Sequence, residues 1–220
     1  MKLRATNIGK LTRKTYDVLV DTTGDREHPL LNQGATSIVN RFYMIKDTHV
    51  GNSASGATVV HDDTSDTSDS APTSLFHVTT STPYDGTLSG FYITLGNAGE
   101  KGVNAPTTVG GYTYFGTNQP ITPSDSVCQA NLGVARSYSV NFLTGAFNST
   151  TLDGGGLLPS PVFGIVTVQV NGQDRQLPFL IGGGSGGMGA DAKSGLGVQK
   201  PAIPIKKTRQ RTYWYRETDR

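Results

Sequence analysis

The sequence predicts an all-β protein, and three observations carry that expectation. No segment sustains apolar residues at i, i+3 and i+4, the spacing that lines one face of a helix. Short runs instead alternate apolar and polar residues with the period of two that marks a half-buried strand. The composition agrees: 28 glycines and 11 prolines accompany only 16% charged residues, a mixture suited to short strands and long turns rather than a helical bundle. Strand pairs recur at intervals of a few tens of residues, which points to a propeller or a similar assembly of repeated sheets.

Taken in order, TYDVLVD places Tyr16, Val18 and Val20 on one face and Asp17, Leu19 and Asp21 on the other. Thr23-Gly24-Asp25 ends that strand, because glycine takes the positive φ a tight turn needs. SIVNRFYMIKD alternates again with apolar residues on both faces, which suits a strand sandwiched in a larger assembly. Residues 48–72 contain NSASG and HDDTSDTSDSAP; nothing apolar recurs there, so a surface loop is expected. SLFHVTTS and SGFYITLG give two further strands, the second with Phe91, Ile93 and Leu95 facing one way. GYTYFGT and RSYSVNFLTG follow as strands around a loop that holds the sole cysteine, Cys128. PVFGIVTVQV and RQLPFLIGG flank Asn171-Gly172, the strongest hairpin signal in the chain. Residues 182–204 read as a Gly/Pro-rich connector, and residues 211–219, within RTYWYRETD, as a closing strand.

The length of 220 residues suits one domain, or a large part of one. Five Lys/Arg fall in the first fourteen residues and eight between Lys193 and Arg220. They read as solvated segments, since the interleaved Tyr213, Trp214 and Tyr215 sit at strand spacing that packing explains first. A nucleic-acid partner is therefore not expected. MKLRATNIGKLTRK is basic but lacks the apolar stretch of a signal peptide. No run approaches the roughly 18 apolar residues of a membrane span.

The chemical motifs are weak. Gly182–Gly187 matches G-x-G-x-x-G and Gly183–Gly187 matches G-x-S-x-G, but the first needs a following helix N-terminus and the second a strand-turn-helix elbow. Neither context follows, so no catalytic or organic-cofactor residues are assigned. His28, His49, His61 and His77 share no metal-ligand spacing. Asp62, Asp63, Asp66 and Asp69 are the best calcium candidates, although the spacing lacks a turn glycine and a bidentate Glu. Asn148-Ser149-Thr150 is a glycosylation sequon, meaningful only in a glycosylating secretory pathway. Asp25-Arg26-Glu27 reads as a charged turn between strands.

Several stretches together resemble the C-terminal β-propeller domain of the PilC/PilY family of type IV pilus biogenesis and tip-associated adhesin proteins. They are DVLVDTTGDREHPL, NRFYMIKD, GFYITLGNAGEKGVNAPTTVGGYTYFGT, CQANLGVARSYSVNFLTGA, LPSPVFGIV and RTYWYRETD, and they cover most of residues 16–220 in the family's order. The resemblance implies quinoprotein-like propeller blades over residues 16–220, after a basic segment at 1–15, as the C-terminal portion of a longer protein whose remaining blades lie outside this chain. It implies no enzyme activity but a role in pilus assembly, stability against retraction, twitching motility and surface attachment. The implied partners are the pilus machinery or minor pilins and a host or abiotic surface. The implied location is the cell surface, at the pilus tip or outer membrane. The family's calcium loop is Asp-rich, and the pattern at Asp62–Asp69 departs from it. Two rivals are a fragment of a quinoprotein-like dehydrogenase, against which the single tryptophan Trp214 argues, and a phage or surface structural β protein.

Overall fold

In the computed structural model, residues 2–5, 14–28, 38–47, 75–121, 131–182 and 198–199 are described. They contain strands and turns and no helix, so the chain is all-β. The strands form three separate sheets, none of them closed on itself. The first sheet is built from β1 (Lys2–Ala5), β2 (Lys14–Thr22), β3 (Arg41–Asp47), β4 (Phe76–His77) and β5 (Gly90–Thr94), in the spatial order β1-β2-β3-β5-β4. All its pairings are antiparallel except the short contact of β4 with β5. The second holds β6 (Lys101–Gly102), β7 (Thr107–Val109), β8 (Tyr112–Gln119), β9 (Val134–Asn141) and β10 (Phe147–Thr151), ordered β10-β9-β8-β6, with β7 also on β8. The third is the hairpin of β11 (Val162–Val170) and β12 (Gln173–Ile181), extended by β13 (Val198–Gln199).

The alternation read from the sequence decides which faces meet. Phe42 and Met44 on β3 and Phe91 and Ile93 on β5 are buried, while Val18 and Val20 of β2 pack against them half-buried. From the second sheet, Phe115, Tyr138 and Val140 join the same cluster. Phe42 stacks on Phe115 at 4.9 Å, and Phe115 on Tyr138 at 5.0 Å, so one column of rings crosses between the sheets. Each such buried side chain contributes roughly 1.5–3 kcal/mol. The second sheet is buried on its other face too, by Val103, Ala135, Leu152 and Leu158.

Burial on both faces therefore belongs to β8 and β9, not to the SIVNRFYMIKD segment. That strand begins only at Arg41, and the exposed Ile38 and Val39 precede it. Its outer face is half-buried. SLFHVTTS yields just the two residues of β4, paired to β5 in parallel, with the backbone N–H of the buried Val78 donating to the Tyr92 carbonyl at 2.9 Å.

Two tight turns follow from residue type. Gly110 and Gly111 both have positive φ (54° and 101°) between β7 and β8. Asn171 and Gly172, at 52° and 72°, make the hairpin turn between β11 and β12, whose twist matches that of the flanking strands. Of the connector at 182–204 only Gly182, Val198 and Gln199 are among the described residues, and the loop at 48–72 and the segment at 211–219 lie outside them.

Candidate functional site

At the entry to β6, Glu100 and Lys101 bury two polar side chains in different places. Glu100 is 1% exposed and Lys101 2% exposed. A buried charge is costly unless its polar atoms are satisfied. The Glu100 carboxylate accepts from the Thr117 hydroxyl at 2.6 Å and the Tyr138 hydroxyl at 2.9 Å, both onto Oε1. Its Oε2 accepts from the Asn97 amide at 2.5 Å. The backbone is held as well: the Glu100 N–H donates to the Asn97 carbonyl at 3.0 Å, and the Glu100 carbonyl accepts from Asn40 Nδ2 at 2.8 Å. Asn40 immediately precedes β3, so Glu100 ties the first sheet to the second.

Burial raises the Tyr138 hydroxyl above the ordinary tyrosine value, and the adjacent Glu100 carboxylate raises it further; Arg136 opposes both. The phenol is thereby kept as a donor. Nη1 of Arg136 is buried without a hydrogen-bond partner among the described residues. Thr117 and Arg136 are direct cross-strand partners, which places this guanidinium stem beside the same cluster.

Lys101 points the other way and donates from Nζ to the His28 carbonyl at 3.0 Å. Burial lowers its pKa, and the charge of Asp25 partly offsets that. Here the Gly24-Asp25-Arg26-Glu27-His28 turn meets Gly99-Glu100-Lys101-Gly102. Asp25 Oδ1 accepts the N–H groups of Glu27 and His28, at 3.1 and 3.2 Å, and Oδ2 lies 2.8 Å from His28 Nδ1. The side-chain bond to His28 holds the Asp25 carboxyl below its ordinary value. The two chain segments approach too closely for side chains. A Cβ on Gly24, whose φ is +149°, would sit 2.5 Å from Lys101 Cβ, and one on Gly102 would sit 2.2 Å from Thr22 Oγ1. The Gly102 N–H donates to the Thr23 carbonyl at 2.9 Å, closing the junction.

A second junction lies on the far side of β8. Asn104 Nδ2 donates to the Pro159 carbonyl at 2.8 Å, Ala105 N–H to Ser160 Oγ at 3.2 Å, and Thr107 Oγ1 to the Pro161 carbonyl at 2.6 Å. Asn104 Oδ1 accepts the Gly116 N–H at 2.8 Å. NAPT and LPSP are thus seated against each other.

The outer face of the first sheet carries a cross-strand row, Asp21, Tyr43, Tyr92 and His77, on β2, β3, β5 and β4. His77 stacks on Tyr92 at 4.6 Å with the rings 4° from parallel, and the Arg41 guanidinium lies 5.1 Å from the Tyr92 ring centre. Tyr43 and Tyr92 meet tilted, at 6.3 Å and 39°.

Asp62, Asp63, Asp66 and Asp69 lie outside the described residues, as do Cys128, His49 and His61. Among the described residues no group of three or more His, Cys, Asp or Glu is placed to hold a metal ion. No helix among them is long and apolar enough to cross a membrane. His28 and His77 are exposed, the first in a turn and the second on β4, and Asp25-Arg26-Glu27 forms an exposed turn. Asn148 of the sequon is exposed on β10. Sequence reasoning gave Glu100 no role. The available signal was a Glu-Lys pair set between glycines and followed by an apolar residue, in a chain with few charges. No protein-family model, curated protein or solved structure matches this chain.

Proposed function

We propose that the chain is a non-enzymatic type IV pilus assembly factor and tip-associated adhesin. On this reading it is the C-terminal portion of a PilC/PilY-like protein, and its sheets are blades of a larger propeller. It acts in pilus stability against retraction, twitching motility and attachment to a surface. The observation that carries the reading is the ordered series of stretches from DVLVDTTGDREHPL to LPSPVFGIV. Two features of the fold support it. GDREH and GEKG, separated by about seventy residues, pack as one junction, and NAPT packs on LPSP. The polar groups of the junction are engaged in holding sheets together, which is a scaffold's use of buried charge. Recognition then falls to loops and strand edges. Removing residues 16–220 from the encoded protein in its native host is expected to reduce surface pili and abolish twitching. Unchanged pilus number and motility would overturn the proposal.

A further inference from the structure

The outer strand of a sheet presents N–H and C=O groups ready to pair, and folded proteins blunt such edges with charge, proline, bulges or short length. Among the described residues the edges of the first two sheets follow that rule. β1 is four residues with Lys2 and Arg4, β4 is two residues, and β10 is the five-residue FNSTT, polar after Phe147. β11 departs from it. This outer strand of the third sheet is nine residues long, holds no charge or proline, and keeps an unbroken register on β12 from Val162 to Val170. Val162, Ile165, Val166 and Val170 are 58%, 53%, 42% and 38% exposed.

The hairpin turn fixes which backbone groups point outward. Val170 and Gln173 flank the two-residue turn and so bond to each other. Alternation then directs the backbone groups of Val162, Gly164, Val166 and Val168 at β12 too, and those of Phe163, Ile165, Thr167 and Gln169 at the open edge. Among the described residues, none of these last four makes a backbone hydrogen bond outside the hairpin.

We propose that β11 pairs edge to edge with β11 of a second copy, antiparallel about a two-fold axis at Val166. The strand VFGIVTVQV is self-complementary in that register. Phe163 bonds Gln169 of the second copy, Ile165 bonds its Thr167, and symmetry supplies the reverse pairs, so every outward N–H and C=O is satisfied. An axis at Ile165 would leave Gln169 without a partner in the strand, and one at Thr167 would leave Phe163 so. An axis between two residues would set outward groups against inward ones. The side chains agree with the axis at Val166: Val162 meets Val170, and Val166 meets its own copy at a Cα separation of about 4.5 Å. No charge on either strand opposes the contact. A strand from an unrelated protein would require none of this symmetry, and a two-fold contact closes at two copies.

Sedimentation of the full chain is the test, under reducing conditions that keep Cys128 from linking copies. A concentration-dependent species of twice the 23.3 kDa chain mass is expected. Val166→Lys and Val166→Glu each set like charges against one another on the axis, so each is expected to be monomeric and their equimolar mixture to recover the dimer. Thr167→Pro removes an outward N–H, a change an edge strand tolerates, and is expected to be monomeric as well. It carries the test if circular dichroism shows that a Val166 variant folds poorly. A native chain that stays monomeric up to its solubility limit overturns the proposal. So does a dimer that persists in all three variants, because another surface then holds it. Mixed Val166 variants that fold but stay monomeric overturn it by removing the axis, and open-ended oligomers overturn it by removing the two-fold closure.

Discussion

Glu100 and Tyr138 show how single residues carry the connection between sheets. The carboxylate holds two hydroxyls and an amide in a site closed to water, and the phenol's proton is held there in turn. Tyr138 is raised from the ordinary value of 10.0, first by burial and then by the Glu100 charge. A group with a raised folded-state pKa contributes its full stability below the ordinary value and loses it as pH climbs through the folded one. The chain is therefore expected to lose stability above about pH 10 as the unfolded state ionises first. The difference in tyrosinate absorbance between the native and Tyr138→Phe chains isolates this phenol. Glu100→Gln removes the carboxylate charge and is expected to bring the Tyr138 titration down. An unmoved titration would mean that burial alone sets it.

At the scale of elements, the hairpin is the clearest case of sequence dictating geometry. Asn171 and Gly172 both adopt left-handed φ, a conformation that costs an L-residue with a Cβ roughly 1–2 kcal/mol. Gly172→Ala is expected to speed hydrogen exchange of the β11–β12 amides by about tenfold, and exchange unchanged throughout the hairpin would count against that turn. The strands β2, β5, β8, β9, β11 and β12 were legible because each carries its own alternation or turn signal. SLFHVTTS was read as a strand longer than the two residues of β4, and the two-residue β6 was not read at all, since two residues hold no period. Glu100 was hidden for a related reason. A carboxylate in a glycine-flanked turn reads as solvated until Thr117 and Tyr138 arrive from other strands.

Across the whole molecule, the first two sheets share one core through the ring column Phe42–Phe115–Tyr138. Phe115 is fully buried in the middle of that column. Phe115→Ala is expected to cost about 3–5 kcal/mol and to lower the urea midpoint of both sheets together in one transition. Two separated transitions would show that the sheets fold independently. The third sheet meets the second through the NAPT–LPSP junction and leaves much of β11 exposed, so its exchange is expected to be faster than that of β8 and β9.

By itself, the sequence determined the all-β class, most of the longer strands, the inward faces of β2 and β5, and the Asn-Gly hairpin. These depend on interactions between residues a few positions apart, which alternation and turn chemistry record directly. Only the tertiary structure decided that the second sheet is buried on both faces. It also decided that GDREH packs on GEKG, and that Glu100 is a buried acceptor while Lys101 lies buried on the opposite side. Those outcomes depend on which distant strands come together. A carboxylate's environment is set by the donors around it in space, and Asn97, Thr117 and Tyr138 reach Glu100 only when two sheets close on each other.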